Sequence, residues 1–225
     1  REGDDMKTGV LSDNQISNLI GTGAIGASTP FEDGQVQPAS LDLRLGNRAY
    51  RVRASFLAGR GQTVADRLAQ FTMHEIDLTD GAVLEKGCVY VVPLMEHLAL
   101  PAGMTAAASA KSSTGRLDLL TRIITDNGVE FDRVPDGHTG PLYVEICPRS
   151  FSVLVRPGLM LNQIIFRQGK TFINDTDLAA LHGKTPIVDG DAVISDGLGF
   201  SVDLKPAQSD LVGYRAKPHT GVIDL

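Results

Sequence analysis

Apolar and polar residues alternate with a period of two along most of this chain. Leu41, Leu43 and Leu45 are separated by Asp42 and Arg44, and after the turn signal Gly46-Asn47 the rhythm resumes at Tyr50 and Val52. This predicts a strand followed by its hairpin partner. Asp42 and Arg44 share the face opposite the leucines and read as a solvated strand face. Further strands are expected over 75–78, 83–93, 96–100, 104–110, 141–147, 153–156 and 161–166, with Arg156-Pro157-Gly158 turning the chain before the last. Asp196-Gly197, between 192–195 and 200–204, is a hairpin signal, and residues 212–217 close the chain before a strand-like end at 221–225.

Helical periods are fewer. Ser12 with Gln15 resembles a capping box ahead of Ile16, Leu19 and Ile20, and Gly21 or Gly23 stops that helix. Thr63 as N-cap, with Asp66 as its partner, opens a helix to Phe71. Leu117, Leu119, Leu120 and Ile123 suggest a short helix, and Asp175–Leu181 another that Gly183 closes. Many short strands and few helices predict a mainly β body, a distorted jelly roll or closed barrel.

Composition narrows this picture only slightly. The 225 residues suffice for one domain over 1–225, with a flexible tail over 1–8, an extra segment over 169–210 and room for a further domain after Leu225. The 24 glycines suit a turn-rich β protein. The net charge of −6 argues against a nucleic-acid surface but not against a local phosphate site. No apolar run approaches the ~20 residues of a membrane helix and no signal peptide is visible, so the expected location is the cytoplasm. Cys88 and Cys147 sit in apolar runs and read as free thiols.

Two features carry chemistry. Ala108–Arg116 (A-S-A-K-S-S-T-G-R) joins small residues, hydroxyls and two cations at the end of a strand, which is what phosphate binding needs. Taken singly, Ser112 and Ser113 could be helix caps, and Lys111 and Arg116 surface charge. Glu145 lies in the apolar run L-Y-V-E-I. By alternation it shares a face with Tyr143 and Cys147, while Leu142, Val144 and Ile146 face the other way. Facing the interior or a subunit interface, it needs a partner, for which Arg116 is a candidate. Zinc chemistry lacks its usual signs: there is no C-x-x-C, no H-x-E, and the five histidines are scattered. There is also no Walker A sequence and no G-x-S-x-G elbow.

Together the motifs resemble the dCTP deaminase family of the trimeric dUTPase-like superfamily. The resemblance runs through Q-P-A-S-L-D-L-R-L-G-N (37–47), L-P-A-G-M (100–104) followed by A-K-S-S-T-G-R (110–116), G-P-L-Y-V-E (140–145) and L-V-R-P-G-L-M-L-N-Q-I-I-F (154–166), and ends with V-G-Y-R-A-K (212–217). It implies a dUTPase-like fold, a homotrimer with active sites between subunits, and zinc-independent deamination of dCTP to dUTP. The family's catalytic acid/base falls on Glu145, its arginine and serine on Arg116 and Ser112, and a water-holding carbonyl on Thr125. Lys111, Ser113 and Arg116 match its phosphate segment, and Tyr143 and Val144 its base contacts through backbone atoms. Asp132 or Asp136 matches its sugar-binding aspartate, Asp132 being preferred because it follows Phe131. Gln163, Tyr214 and Lys217 match further nucleotide contacts. Mg²⁺ would arrive with the triphosphate. Asp118 stands where the family usually has Gly, Lys111 where many members have Arg, and 170–205 has no counterpart among these motifs. A bifunctional enzyme forming dUMP, a dUTP pyrophosphatase, and a silent nucleotide-binding regulator are the alternatives.

Overall fold

In the computed structural model, residues 8–169, 171–205, 210–217 and 221–225 are described. Apart from Thr8, the expected tail lies outside these residues. Two compact units emerge, one within 1–169 and 216–225, the other within 170–215. In chain order the elements are β1 (Gly9–Val10), α1 (Asp13–Gly21), β2 (Ile25–Ala27), β3 (Val36–Gln37), β4 (Ser40–Arg44), β5 (Arg48–Val52), α2 (Val64–Phe71), β6 (Thr72–Asp77), β7 (Ala82–Leu84) and β8 (Val89–Ala99). They continue with β9 (Met104–Ala110), α3 (Ser112–Arg116), β10 (Leu119–Thr125), β11 (Arg133–Val134), β12 (Thr139–Pro148), β13 (Val153–Val155), β14 (Met160–Gln168), α4 (Asp175–Lys184) and β15 (Ile223–Asp224).

The first unit is mainly β. One sheet runs β11-β9-β14-β4-β3 with β1 on β14; the second runs β10-β12-β8-β5-β6 with β2 on β8; β15-β13-β7 form a third. Apolar residues of the first two sheets, among them Leu41, Ile164 and Phe166 from one and Val92, Val144 and Ile146 from the other, share one core. The sheets are open paths with edge strands, so the barrel closure expected from the strand pattern is absent. No helix among the described residues is long and apolar enough to cross a membrane.

Both expected helix caps form. The backbone N–H of Ser12 donates to Gln15 Oε1 at 2.9 Å, and Thr63 caps α2 reciprocally with Asp66. Gly46-Asn47, by contrast, is no hairpin. β4 and β5 lie in different sheets, and the chain crosses between them there. Gly46 is required at the crossing, since a Cβ would stand 2.7 Å from the Pro93 carbonyl oxygen that accepts the Gly46 N–H. The break expected between residues 93 and 96 is missing too. β8 runs through Pro93, at the place where its register with β12 shifts, so the absent N–H is tolerated.

The helix suggested over 117–123 is strand β10, and the helix falls instead on Ser112–Arg116. Leu119, Thr121 and Ile123 are its buried face, a period of two that the leucine spacing obscured. α4 continues through Gly183 to Lys184. Asp196-Gly197 does turn the chain, with positive φ at both residues, but supports only the isolated bridge Ile194–Leu198. Gly21-Thr22-Gly23-Ala24-Ile25-Gly26 has G-x-G-x-x-G spacing, yet leads from a helix into a strand, the reverse of a dinucleotide fingerprint. Both cysteines are free; Cys147 is buried and Cys88 half-buried.

Candidate active site

Strand β12 divides its side chains as alternation requires. Leu142, Val144 and Ile146 enter the main core, whereas Tyr143 joins a second apolar cluster with Val52, Phe56, Val64, Leu68, Val91 and Ile124. Glu145 lies on the Tyr143 side, between Val91 of β8 and Arg122 of β10 in the ladder. It is 2% exposed, so its charge needs a partner.

That partner is Arg122, not Arg116. Arg122 Nε donates to Glu145 Oε1 at 3.1 Å, and Nη2 donates to the same oxygen. Glu145 Oε2 is buried and has no hydrogen-bond partner. Arg122 stands directly across the ladder from Glu145, whereas Arg116 ends α3 before the ladder begins at Leu119–Pro148. The guanidinium carbon lies 3.7 Å from the centroid of the Phe131 ring, and Nη2 donates to Ser55 Oγ at 3.0 Å. Arg122, Phe131 and Ser55 were not anticipated as site residues. The alternation Leu120-Arg122-Ile124 against Leu119-Thr121-Ile123 was the signal that could have found Arg122.

Asp132 adjoins this pair. Its backbone N–H donates to the Ile123 carbonyl at 2.9 Å and its Oδ1 accepts the Ile123 N–H at 2.8 Å, closing the loop that carries Phe131. Its φ is +61°, a conformation Asp tolerates better than most residues. Burial raises its carboxyl above the usual range, against the opposing hydrogen bond from Ile123 and the charge of Arg122. Asp136 sits elsewhere. Its Oδ1 accepts the Gly103 N–H at 2.6 Å, at the far end of β9 from Ala108, whose N–H donates to the Asp132 carbonyl. Thr125 is buried, and its carbonyl accepts the Gly128 N–H at 3.1 Å. Its hydroxyl has no partner. Burial, with Asp126 nearby, raises the Tyr143 phenol.

The K-S-S-T-G-R segment forms the start and body of α3. Ser112, Ser113 and Arg116 are exposed, and no hydrogen bond or ion pair joins them to Glu145 within the chain. Lys111 is ion-paired to Asp42. Thr114 anchors the helix by donating to the Leu161 carbonyl at 2.8 Å. Asp118 adopts φ +53°, a conformation Asp tolerates better than most residues, and its Oδ2 accepts the Ser150 hydroxyl at 2.7 Å. Gln163 pairs across β14 with Ser109 and Asp42. Asp42 and Arg44 are buried rather than solvated, because β4 lies inside its sheet and both its faces are covered. Tyr214 is 94% exposed in the second unit; Lys217 belongs to the first. Among the described residues, no three His, Cys, Asp or Glu side chains converge as a metal-ligand set.

A mainly β body with a carboxylate held inside one sheet and a hydroxyl-rich, cationic segment displayed on a short helix defines the class. The family follows from comparison. The model of the 2'-deoxycytidine 5'-triphosphate deaminase (DCD) N-terminal domain matches residues 7–170, and that of the C-terminal domain matches 174–225. The chain belongs to this family, and the segment after residue 170, which the motifs left without counterpart, is part of the match. The crystal structure of 2'-deoxycytidine 5'-triphosphate deaminase from Agrobacterium tumefaciens is 52% identical with a TM-score of 0.89, covering 96% of this chain. The chain spans 66% of that structure's length. A Beutenbergia cavernae protein named dCTP deaminase, dUMP-forming, is 30% identical over 70% of this chain and 78% of its own. A Halorubrum lacusprofundi protein named dCTP deaminase is 28% identical over 72% of this chain and 78% of its own.

Proposed function

We propose that this chain catalyses hydrolytic, zinc-independent deamination of dCTP, with Glu145 as general acid and base. The observation that carries this reading is the buried Glu145 carboxylate with one oxygen held by Arg122 and the other unpartnered. A fully satisfied carboxylate has no free lone pair to offer; this one has. In the proposed reaction, Oε2 accepts a proton from water as the water oxygen bonds to C4 of cytosine, and passes it to N3. The new C4 hydroxyl then gives up its proton through Glu145 to the amino group, the C4–N4 bond breaks, and ammonia leaves. Such proton transfer contributes about 10²–10⁴ in rate. Ser112 and the Thr125 carbonyl would orient the water. Lys111, Ser113 and Arg116 would hold the triphosphate and the Mg²⁺ that travels with it as part of the substrate. Asp132 would meet the sugar and the Tyr143 and Val144 backbone the base, with Gln163, Tyr214 and Lys217 completing the nucleotide contacts.

The exposure of Ser112, Ser113 and Arg116, away from Glu145 in the same chain, supports a site assembled between copies in a homotrimer. Release of dUMP rather than dUTP is the second reading, favoured by the dUMP-forming relatives and by the carboxylate of Asp132 beside the pair. Incubation with dCTP and Mg²⁺, with ammonia, dUTP, dUMP and pyrophosphate quantified together, tests both. Ammonia with dUTP supports deamination alone, ammonia with dUMP and pyrophosphate supports the bifunctional reading, and binding of dCTP without ammonia contradicts both.

A further inference from the structure

Glu145 is held asymmetrically, and the holding group is itself held. Arg122 spends two N–H donors on Oε1 and one contact on Ser55 Oγ, and its flat face lies on Phe131. Phe131 precedes Asp132, whose two bonds to Ile123 close the loop onto the strand that bears Arg122. The guanidinium is therefore fixed by its own strand, by the ring above it and by a hydroxyl at its edge. A lysine could supply the charge but neither the planar stacking face nor the forked donors.

We infer that Arg122, clamped by Phe131, is a positioning residue that selects Glu145 Oε2 as the working oxygen. This rests on the reading of Glu145 as the proton carrier. By occupying Oε1, the guanidinium fixes the carboxylate plane and leaves one oxygen for water and substrate. Loss of the clamp lets the carboxylate rotate about its terminal bond, so the reacting geometry is held only part of the time. Displacements on this scale cost about 10² in rate. Because Arg122 acts through Glu145, the cost is expected on kcat rather than on KM for dCTP.

The test measures kcat and KM for dCTP in wild type, Arg122→Ala, Arg122→Lys and Phe131→Leu, each corrected for folded fraction. It is repeated for Arg122→Ala with added methylguanidinium at concentrations too low to denature. The expected result is a kcat lowered about 100-fold in Arg122→Ala with KM changed less than about threefold, intermediate values in Arg122→Lys and Phe131→Leu, and saturable recovery with methylguanidinium. A purely structural arginine would lower the folded fraction without a guanidinium-dependent recovery of kcat. Wild-type kcat in Arg122→Ala, or a defect confined to KM, overturns the inference while leaving the deaminase reading intact. No ammonia from the wild type overturns that reading, and the inference with it.

Discussion

Among the described residues, two buried carboxylates are paired with arginine, both in the sheet containing β8 and β12. Glu96 and Arg44 form the first. Glu96 Oε1 accepts from Arg44 Nε and from Gln35 Nε2, each at 2.8 Å, and Oε2 accepts the Arg44 backbone N–H at 2.8 Å. Arg44 Nη1 and Nη2 donate to the carbonyls of Pro30 at 2.7 Å and Thr29 at 3.2 Å, and Nη1 lies 3.5 Å from Glu32 Oε1. Glu145 and Arg122 form the second, and there one carboxylate oxygen has no partner. The residue types are alike and both carboxylates are buried, but the arginines differ, the Arg44 side chain being 2% exposed and that of Arg122 30%, and so does the saturation. The saturated pair joins β4, the segment before β3 and β8, and both of its carboxylate oxygens are engaged within the chain. The unsaturated pair accepts the cost of an orphaned buried oxygen, a cost that proteins concentrate at functional sites.

Removing the carboxylate charge should separate the two pairs. Glu145→Gln is expected to lower dCTP deamination by about 10²–10⁴ while the urea unfolding midpoint changes little, because Arg122 is partly solvated and keeps Phe131 and Ser55. Glu96→Gln is expected to do the opposite. It leaves the buried Arg44 charge only the exposed Glu32 carboxylate, 3.5 Å away, as counter-ion and costs about 3 kcal/mol of stability, with turnover per folded molecule close to wild type. If both variants lose stability and neither loses turnover, the distinction between the pairs is broken.

A smaller effect is expected at the sheet crossing next to the saturated pair. Gly46→Ala places a Cβ 2.7 Å from backbone oxygen and should cost about 1–3 kcal/mol, read as a lower unfolding midpoint with unchanged kcat. The smallest effect concerns pH. Burial raises the Asp132 carboxyl, so ionised Asp132 opposes folding. Its favourable contribution exists below the ordinary carboxylate pKa and is lost as pH rises through the raised value. Asp132→Asn keeps an oxygen for the Ile123 N–H and tolerates the same backbone conformation. At pH 7 it should therefore be at least as stable as wild type, with a flatter pH dependence in the acidic range, while KM for dCTP rises if the carboxylate meets the sugar. A variant less stable than wild type at pH 7 would contradict the sign.

How much of this could be read from the chain depends on whether the determining contact was local. Alternation in L-Y-V-E-I places Glu145 opposite the main core, and the structure agrees, because side-chain direction along a strand has a period of two. The caps at Ser12 and Thr63 are contained in four residues each. Alternation over 119–124 sets Arg122 on the face away from the main core, but its pairing with Glu145 is fixed by ladder register across 23 positions, which local sequence does not carry. The leucines around it also suit a helix as well as a strand. Asp42 and Arg44 read as solvated because alternation is the mark of a strand covered on one face, and in β4 ion pairs with Lys111 and Glu96 let polar residues occupy the second covered face. Gly46-Asn47 signals a turn but not which sheet the chain joins after it. Family motifs brought Glu145, Arg116 and Ser112 to notice together, but not the cation that holds Glu145 within its own chain.

The central claim is that Glu145, and not its saturated counterpart Glu96, carries the proton in deamination. It is tested most directly by the initial rate of ammonia release from dCTP by Glu145→Gln, at matched concentrations of folded protein. The account predicts a rate at least about 100-fold below wild type with the fold intact. A folded Glu145→Gln protein that releases ammonia at the wild-type rate would contradict it.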